Sequence, residues 1–428
     1  MAEVTQTGNT FRFLDLPIEV RNAIYDMILC DPPPAKLRRV EQADLLWLPE
    51  GMAYITHPRE LQILQTNRQV HAEARDVMLR GNQFIRIRAR GVGQVIKGFM
   101  LALQIPIVRT SARFRESFKG FVMTHSIDLA SDQLEPAEFL GSEHDADVDL
   151  VILQRDHGLF CKALATRGVL MVRGFGNLTR HKLTIHNPFE STLSPGFLGE
   201  KNQERLLQPY RDHLRGFLDF SVDGSVSSSV AESVKQAVAK EDVPDPDSVL
   251  AEFKRDKDLG NRYFRQKEFH RAAEAYTTGY IKVALVRNGN LWSQVAAKGG
   301  HDFLRGVSET YYQVFLNCAQ NILVFLRETS ESDKTKIIYY CGKADYHVKS
   351  ATAAGENFTS DWRPNLQQMA KLSFRAASIE RVLGNMDAAK SLIDIARQQA
   401  PSDPVIRREA EEIDALMRSQ AGLGRLLL

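Results

Sequence analysis

With 428 residues, 43% hydrophobic and 25% charged, the chain has the composition of a globular protein and is too long for one ordinary domain; at roughly one domain per 100 to 200 residues, two or three are expected. A formal net charge of +2 lacks the strongly basic balance of a nucleic-acid-binding domain, and no run of about 18 apolar residues is present to cross a membrane. Neither nucleic acid nor membrane is therefore expected as a partner. Cys30, Cys161, Cys318 and Cys341 form no CxxC pair and accompany no His cluster at ligand spacing, so no disulfide framework, metal or cofactor is implied. The opening MAEVTQTGNTFRF lacks the apolar core of a signal peptide, and a reducing compartment, cytoplasm or nucleus, is the expectation.

Residues 11 to 30 open with Leu16-Pro17, carry Glu19 in the first turn, and place Val20, Ile24, Met27 and Ile28 on one face, which predicts an amphipathic helix ended by Pro32-Pro33-Pro34. A second helix is expected through Leu64, Val70, Ala74, Val77 and Met78, stopping at Gly81 as a left-handed cap. Then comes a period-two strand, with Ile85, Ile87 and Ala89 on one face and Arg86, Arg88 and Arg90 on the other. This order of a Leu-Pro helix, an LQTNRQVHAEA helix and an NQF strand resembles the F-box-like domain of fungal proteins, although the Trp-containing helix of ordinary F-boxes has no counterpart. The resemblance implies a Skp-type ligase adaptor as a partner of residues 11–90.

From 91 to 240 helix and strand alternate. VGQVIKGFMLAL places Val92, Val95, Ile96, Phe99, Met100 and Leu103 on one helical stripe; FKGFVMTHSIDLA, VDLVILQ and HKLTIHN read as strands; LLQPYRDHLRGFLDFSVDG runs from helix to strand, and SSVAESVKQAVAK is a helix. The alternation predicts a mixed α/β domain with parallel strands and crossover helices. Gly91-Val92-Gly93 opens a helix, but Ile96 stands where a dinucleotide turn needs its third glycine, so a tight turn is expected. His181 and His186, five apart, fall on opposite strand faces and make no metal pair. No GxSxG, HExxH or GKS/GKT loop occurs, and no catalytic residues are assigned. After Ala239 the acidic, proline-broken KEDVPDPDS reads as a linker over 241–248.

Beyond it, Lys371 to Pro401 has small or apolar residues at helical spacing in two blocks, Ala377, Ile379, Val382 and Leu383, then Ala389, Ile393 and Ala396, separated by Gly384-Asn385 and closed by Pro401. This is a helical hairpin. Gly260, Tyr263, Phe264, Phe269, Ala272, Tyr276 and Gly279 repeat the register upstream, and Ala319 and Ala344 mark another copy between them. Val405, Ile406, Ala410, Ile413 and Leu416 form a further amphipathic helix. The pattern resembles the tetratricopeptide repeat, whose hairpins stack because none can bury its apolar face alone. It implies an all-α array over 249–420 of three repeats and a capping helix, interrupted by insertions at 287–307 and 350–364.

Within those registers Lys257 and Asn261, Asn317, and Lys371 and Arg375 stand on the first helices of the three repeats, the outer pairs at i, i+4 and so on one helical face. They match all five positions of the two-carboxylate clamp in the co-chaperone class, which includes the heat-shock organising protein and the large immunophilins. The resemblance implies binding of the Glu-Glu-Val-Asp tail of cytosolic heat-shock chaperones. Lys and Arg donate charge-assisted bonds worth about 1.5 to 3 kcal/mol each, and Asn amides donate without adding repulsion among the cations. Any one such residue is commonly solvated surface; five matches at roughly one chance in twenty each are what separates a clamp from coincidence. A non-catalytic adaptor follows, with another peptide ligand or an enzyme in the α/β region as the alternatives.

Overall fold

A computed structural model describes residues 12–30, 36–39, 53–56, 61–108, 112–130, 147–189, 199–329 and 332–426, and the chain divides into two compact units, Met1–Asp242 with Asn288–Asn290, and Val243–Arg287 with Leu291–Leu428. The proline run at 32–34 lies outside the described residues.

In the first unit Pro17 leads into α1 (Ile18–Leu29). The face it buries is not the one its apolar stripe predicts: Arg21, Tyr25 and Leu29 are buried, whereas Val20, Met27 and Ile28 are exposed. After the antiparallel pair β1 (Lys36–Arg39) and β2 (Ala53–Thr56) comes α2 (Arg68–Asn82), and it supplies the reason. Glu73 on α2 takes Arg21 in a two-pronged bond, Nε to Oε2 at 2.9 Å and Nη2 to Oε1 at 2.7 Å, and accepts the Tyr25 hydroxyl at 2.9 Å. Arg21 also donates to the Leu14 and Leu16 carbonyls. Such a bidentate pair fixes rotation about the helix axis as a non-directional apolar contact does not. Hydrogen bonding to Arg21 holds the Glu73 carboxyl down at about 2.

Asn67 caps α2 by accepting from the Val70 amide. Gly81 is not the expected left-handed stop, since the helix continues to Asn82 and Gln83 takes that conformation at φ 49°. Gly81 serves instead for close approach, because a Cβ there would stand 2.5 Å from Cys30 Sγ.

The chain then runs through β3 (Phe84–Arg90), α3 (Gly93–Ala102), α4 (Ala112–Ser117), β4 (Phe121–Leu129), β5 (Val148–Leu153), α5 (Gln154–Ala163), α6 (Val169–Met171), α7 (Phe175–Leu178), β6 (Thr179–Ile185), α8 (Glu200–His213), β7 (Phe220–Gly224) and α9 (Ser228–Ala239). The sheet order is β5-β3-β4-β6-β7, with β3/β4 and β6/β7 parallel but β3/β5 and β4/β6 antiparallel. The parallel sheet expected from alternation is therefore mixed. Each crossover makes one parallel pair, and the two pairs meet with β4 against β6 in opposite directions. Ile85, Ile87, Ala89, Met123, Ile127, Leu183 and Ile185 join the core with Phe99, Phe160, Leu207 and Val234 from the helices. Arg86, Arg88 and Arg90 alternate to the other face, where Arg86 forms two bonds to Asp149 at 2.9 and 2.7 Å. As the second strand in the order, β3 is hydrogen-bonded on both sides to strands of the 91–240 region.

The second unit is all helix: α10 (Pro246–Arg265), α11 (Phe269–Asn288), α12 (Trp292–Glu328), α13 (Lys334–Thr352), α14 (Ala354–Phe358), α15 (Leu366–Leu383), α16 (Met386–Gln399) and α17 (Pro404–Leu426). Asp245, in the expected linker, already caps α10 by accepting from Ser248 N at 3.1 Å. The segment read as an insertion at 287–307 is largely helical and belongs to α12, which breaks at Gly300 (φ 62°, ψ −164°). Gly384 ends α15 in the left-handed region at φ 86°. The small residues do what close helix contact requires, with Ala272, Ala319, Ala344, Ala377, Ala389 and Ala396 fully buried.

Gly260 is the tightest of these crossings tested by geometry: an added Cβ would lie 2.4 Å from a ring carbon of the buried Tyr276. Overpacking of this kind costs about 1–3 kcal/mol, more than the roughly 1 kcal/mol that alanine gains in helix propensity. Gly260→Ala should thus lower the urea midpoint of the second unit; an unchanged or raised midpoint would mean that the Tyr276 ring yields.

Candidate functional site

Four of the five residues singled out in the sequence lie in one neighbourhood made by α10, α11, α12 and α15. Lys257 on α10 donates from Nζ to Gln313 Oε1 on α12 at 3.0 Å. One turn further along each helix, Asn317 Nδ2 donates to Asn261 Oδ1 at 2.8 Å, and the same oxygen accepts the Tyr276 hydroxyl at 2.8 Å. The Asn261 oxygen thereby accepts two bonds, from α11 and from α12.

Arg375 on α15 is buried, with Tyr276 and Tyr312 near enough to its guanidinium for their electrostatic influence to be felt. Nη1 donates to the Lys371 carbonyl at 3.1 Å, while Nε is buried without a hydrogen-bond partner. Burial draws the Arg375 pKa down to about 10, which still leaves the group cationic at neutral pH. The same burial pushes Tyr276 and Tyr312 well above the usual phenol value, so both are neutral donors; Tyr312 gives its hydroxyl to the Gln368 carbonyl at 2.8 Å. Lys371, one turn before Arg375, is exposed, and its side chain forms no ion pair or hydrogen bond among the described residues. It joins the set through its backbone alone.

Among the described residues no carboxylate is paired with the Arg375 guanidinium, and an uncompensated buried charge is costly, worth about 3–5 kcal/mol of destabilisation. An incoming anion would relieve that cost. The asparagine amides and Lys257 lie on the neighbouring helices α10 and α12, so the arrangement gathers cationic and amide donors. Gln313, Tyr276 and Tyr312 were not assigned this role from sequence. Gln313 could have been found as the residue one helical turn before Asn317, but burial of Arg375 near two tyrosines from other helices has no local signature.

A second polar cluster occupies the core of the first unit. His125 Nε2 meets His181 Nδ1 at 2.9 Å, Tyr210 meets His125 Nδ1 at 3.0 Å, Thr179 bridges His181 Nε2 and the Phe175 carbonyl at 2.9 and 2.6 Å, and Cys161 Sγ lies 3.3 Å from His157 Nε2. Each histidine is 0% exposed, and burial holds all three well below the ordinary imidazole value while raising the Cys161 thiol. A neutral thiol beside a neutral imidazole, both sealed from solvent, cannot meet a substrate; the cluster is packing with its polar atoms largely paired. His186, on the other sheet face, bonds Thr124 instead at 2.9 Å.

Among the described residues no group of three or more His, Cys, Asp or Glu is placed to hold a metal, and no helix is long and apolar enough to cross a membrane. No family model matches the chain, and no curated protein matches it.

Proposed function

We propose that the second unit is a tetratricopeptide domain of the carboxylate-clamp kind, and that the chain is a non-catalytic adaptor that binds the Glu-Glu-Val-Asp tail of cytosolic heat-shock chaperones. The observation that carries this reading is Arg375, a buried cation with an unpartnered Nε and no carboxylate paired to it among the described residues. Around it, Asn261 and Asn317 are already bonded to each other, and Lys257 is steered by Gln313. Lys371 supplies an exposed second cation on the same face of α15. One carboxylate can be taken by Lys257 with the amides, the other by Lys371 with Arg375.

A Met-Glu-Glu-Val-Asp peptide with a free C-terminus should bind with micromolar affinity in calorimetry. Arg375→Ala or Lys371→Glu should weaken it about tenfold or more, equivalent to about 1.4 kcal/mol. Equal affinity of both variants and wild type removes the clamp; recovery of carboxylate-free peptides only would favour a scaffold for another ligand.

The F-box-like head gives the adaptor its second end. Leu14, Ile18, Val20, Met27 and Ile28 are exposed large apolar residues on and beside α1, an arrangement that suits docking of a Skp-type ligase adaptor and so delivery of chaperone-bound clients to a ubiquitin ligase. Co-purification of that adaptor with wild type, and its loss with Met27→Asp, is the test of this half.

A further inference from the structure

Elsewhere in the second unit, α12, α13, α15 and α17 line a cleft of about 340 Å³. Its wall includes Leu323, Val324, Phe374 and Val382, with Val405 from the first turn of α17. That volume falls at the lower end of sites that take a compact apolar group.

The charges of this cleft are arranged by depth. Glu409 is almost fully buried and is neutralised from within the wall, accepting Arg381 Nε at 2.7 Å and Ser378 Oγ at 3.0 Å. Two further guanidiniums of the lining are held loosely: Arg327 stands 3.6 Å from the other Glu409 oxygen, and Arg408 stands 3.7 Å from Glu412. Their side chains are 52% and 68% exposed. The interior is therefore apolar with its one carboxylate already satisfied, and the mouth is cationic.

We propose that this cleft is a second peptide site, taking an internal acidic segment that carries one bulky apolar side chain. The side chain enters between Phe374, Val324 and Val382, and flanking carboxylates meet Arg327 and Arg408. Charge complementarity selects this occupant: a basic segment would face like charge at the mouth, and a wholly apolar one would add nothing to the long contacts of 3.6 and 3.7 Å that Arg327 and Arg408 make to Glu409 and Glu412. Because both ends of such a segment are amides, the site does not depend on a terminal carboxylate and stands apart from the clamp.

The probe is the acetylated, amidated pentapeptide Asp-Glu-Phe-Glu-Asp with a fluorescein label, titrated with the full chain by anisotropy. Saturable binding is expected, weakened about tenfold or more by Arg327→Glu combined with Arg408→Glu and likewise by Val405→Asp, abolished when the peptide Phe becomes Ser, and unchanged in Lys371→Glu. The three substituted cleft residues are exposed, and circular dichroism melting checks that each variant folds. No saturable binding to wild type, equal binding by the arginine pair variant, or loss that follows Lys371→Glu would overturn the proposal.

Discussion

Lowering the pH from 7 to 5.5 should make the first unit markedly easier to unfold with urea. His157 and His181 are buried neutral, each with a pKa depressed by burial to about 3, and burial with the neighbouring histidines depresses His125 too. In the unfolded chain they titrate near the ordinary value of about 6.5. Between about 6.5 and 3 the unfolded state binds protons that the folded state refuses, so stability is complete above the unfolded value and is lost as the pH falls through this window. Each histidine contributes a slope of up to about 1.4 kcal/mol per pH unit. Carboxylates depressed by partners, such as Glu73, lose their contribution mostly below pH 5, so the interval from 7 to 5.5 isolates the imidazoles. His157→Leu should flatten the slope, since His157 Nδ1 is buried without a partner and an apolar residue of similar size carries no proton there. Urea midpoints followed by circular dichroism at the two pH values decide it: equal midpoints would mean that the cluster is hydrated or already protonated when folded.

Replacing Glu409 with Ala should destabilise the second unit by about 3 kcal/mol or more. The carboxylate is 3% exposed and ties α17 to α15 through Arg381 and Ser378, with Arg327 of α12 nearby. Its removal leaves the partly buried Arg381 with only the distant carboxylate of Glu412, 4.0 Å away, and breaking such a buried pair on one side costs about 3–5 kcal/mol. Glu409→Gln keeps an acceptor and the side-chain volume while losing the charge, so it should fall between wild type and the alanine variant. Urea denaturation of the three proteins tests the order. A loss below about 0.5 kcal/mol for Glu409→Ala would place the pair among those that contribute nothing measurable.

Much of the local structure was legible because it depends on spacing. The alternation of Ile85, Ile87 and Ala89 with three arginines is a two-faced strand wherever it is put, and β3 divides them as expected. Gly384 followed by a second block of small residues is a hairpin, and α15 and α16 meet there through Ala377, Ala389 and Ala396. Where the periodicity misled, a directional polar contact from outside the window decided the outcome. On α1 the apolar stripe lost to Arg21 and Tyr25 because Glu73 lies 52 residues from Arg21 in the chain. The expected cap at Gly81 moved to Gln83 because the glycine was needed beside Cys30.

The residues of the candidate site were legible as types at helical intervals, but their chemical condition was not. Sequence alone determined that Lys257 and Asn261, and Lys371 and Arg375, share helical faces, because i, i+4 geometry is local. Only the tertiary structure decided that Arg375 is buried near two neutral tyrosines, that one asparagine oxygen receives both Tyr276 and Asn317, and that the sheet is mixed. Desolvation and strand pairing are properties of what surrounds a residue, and those surroundings are assembled from segments that no short window contains.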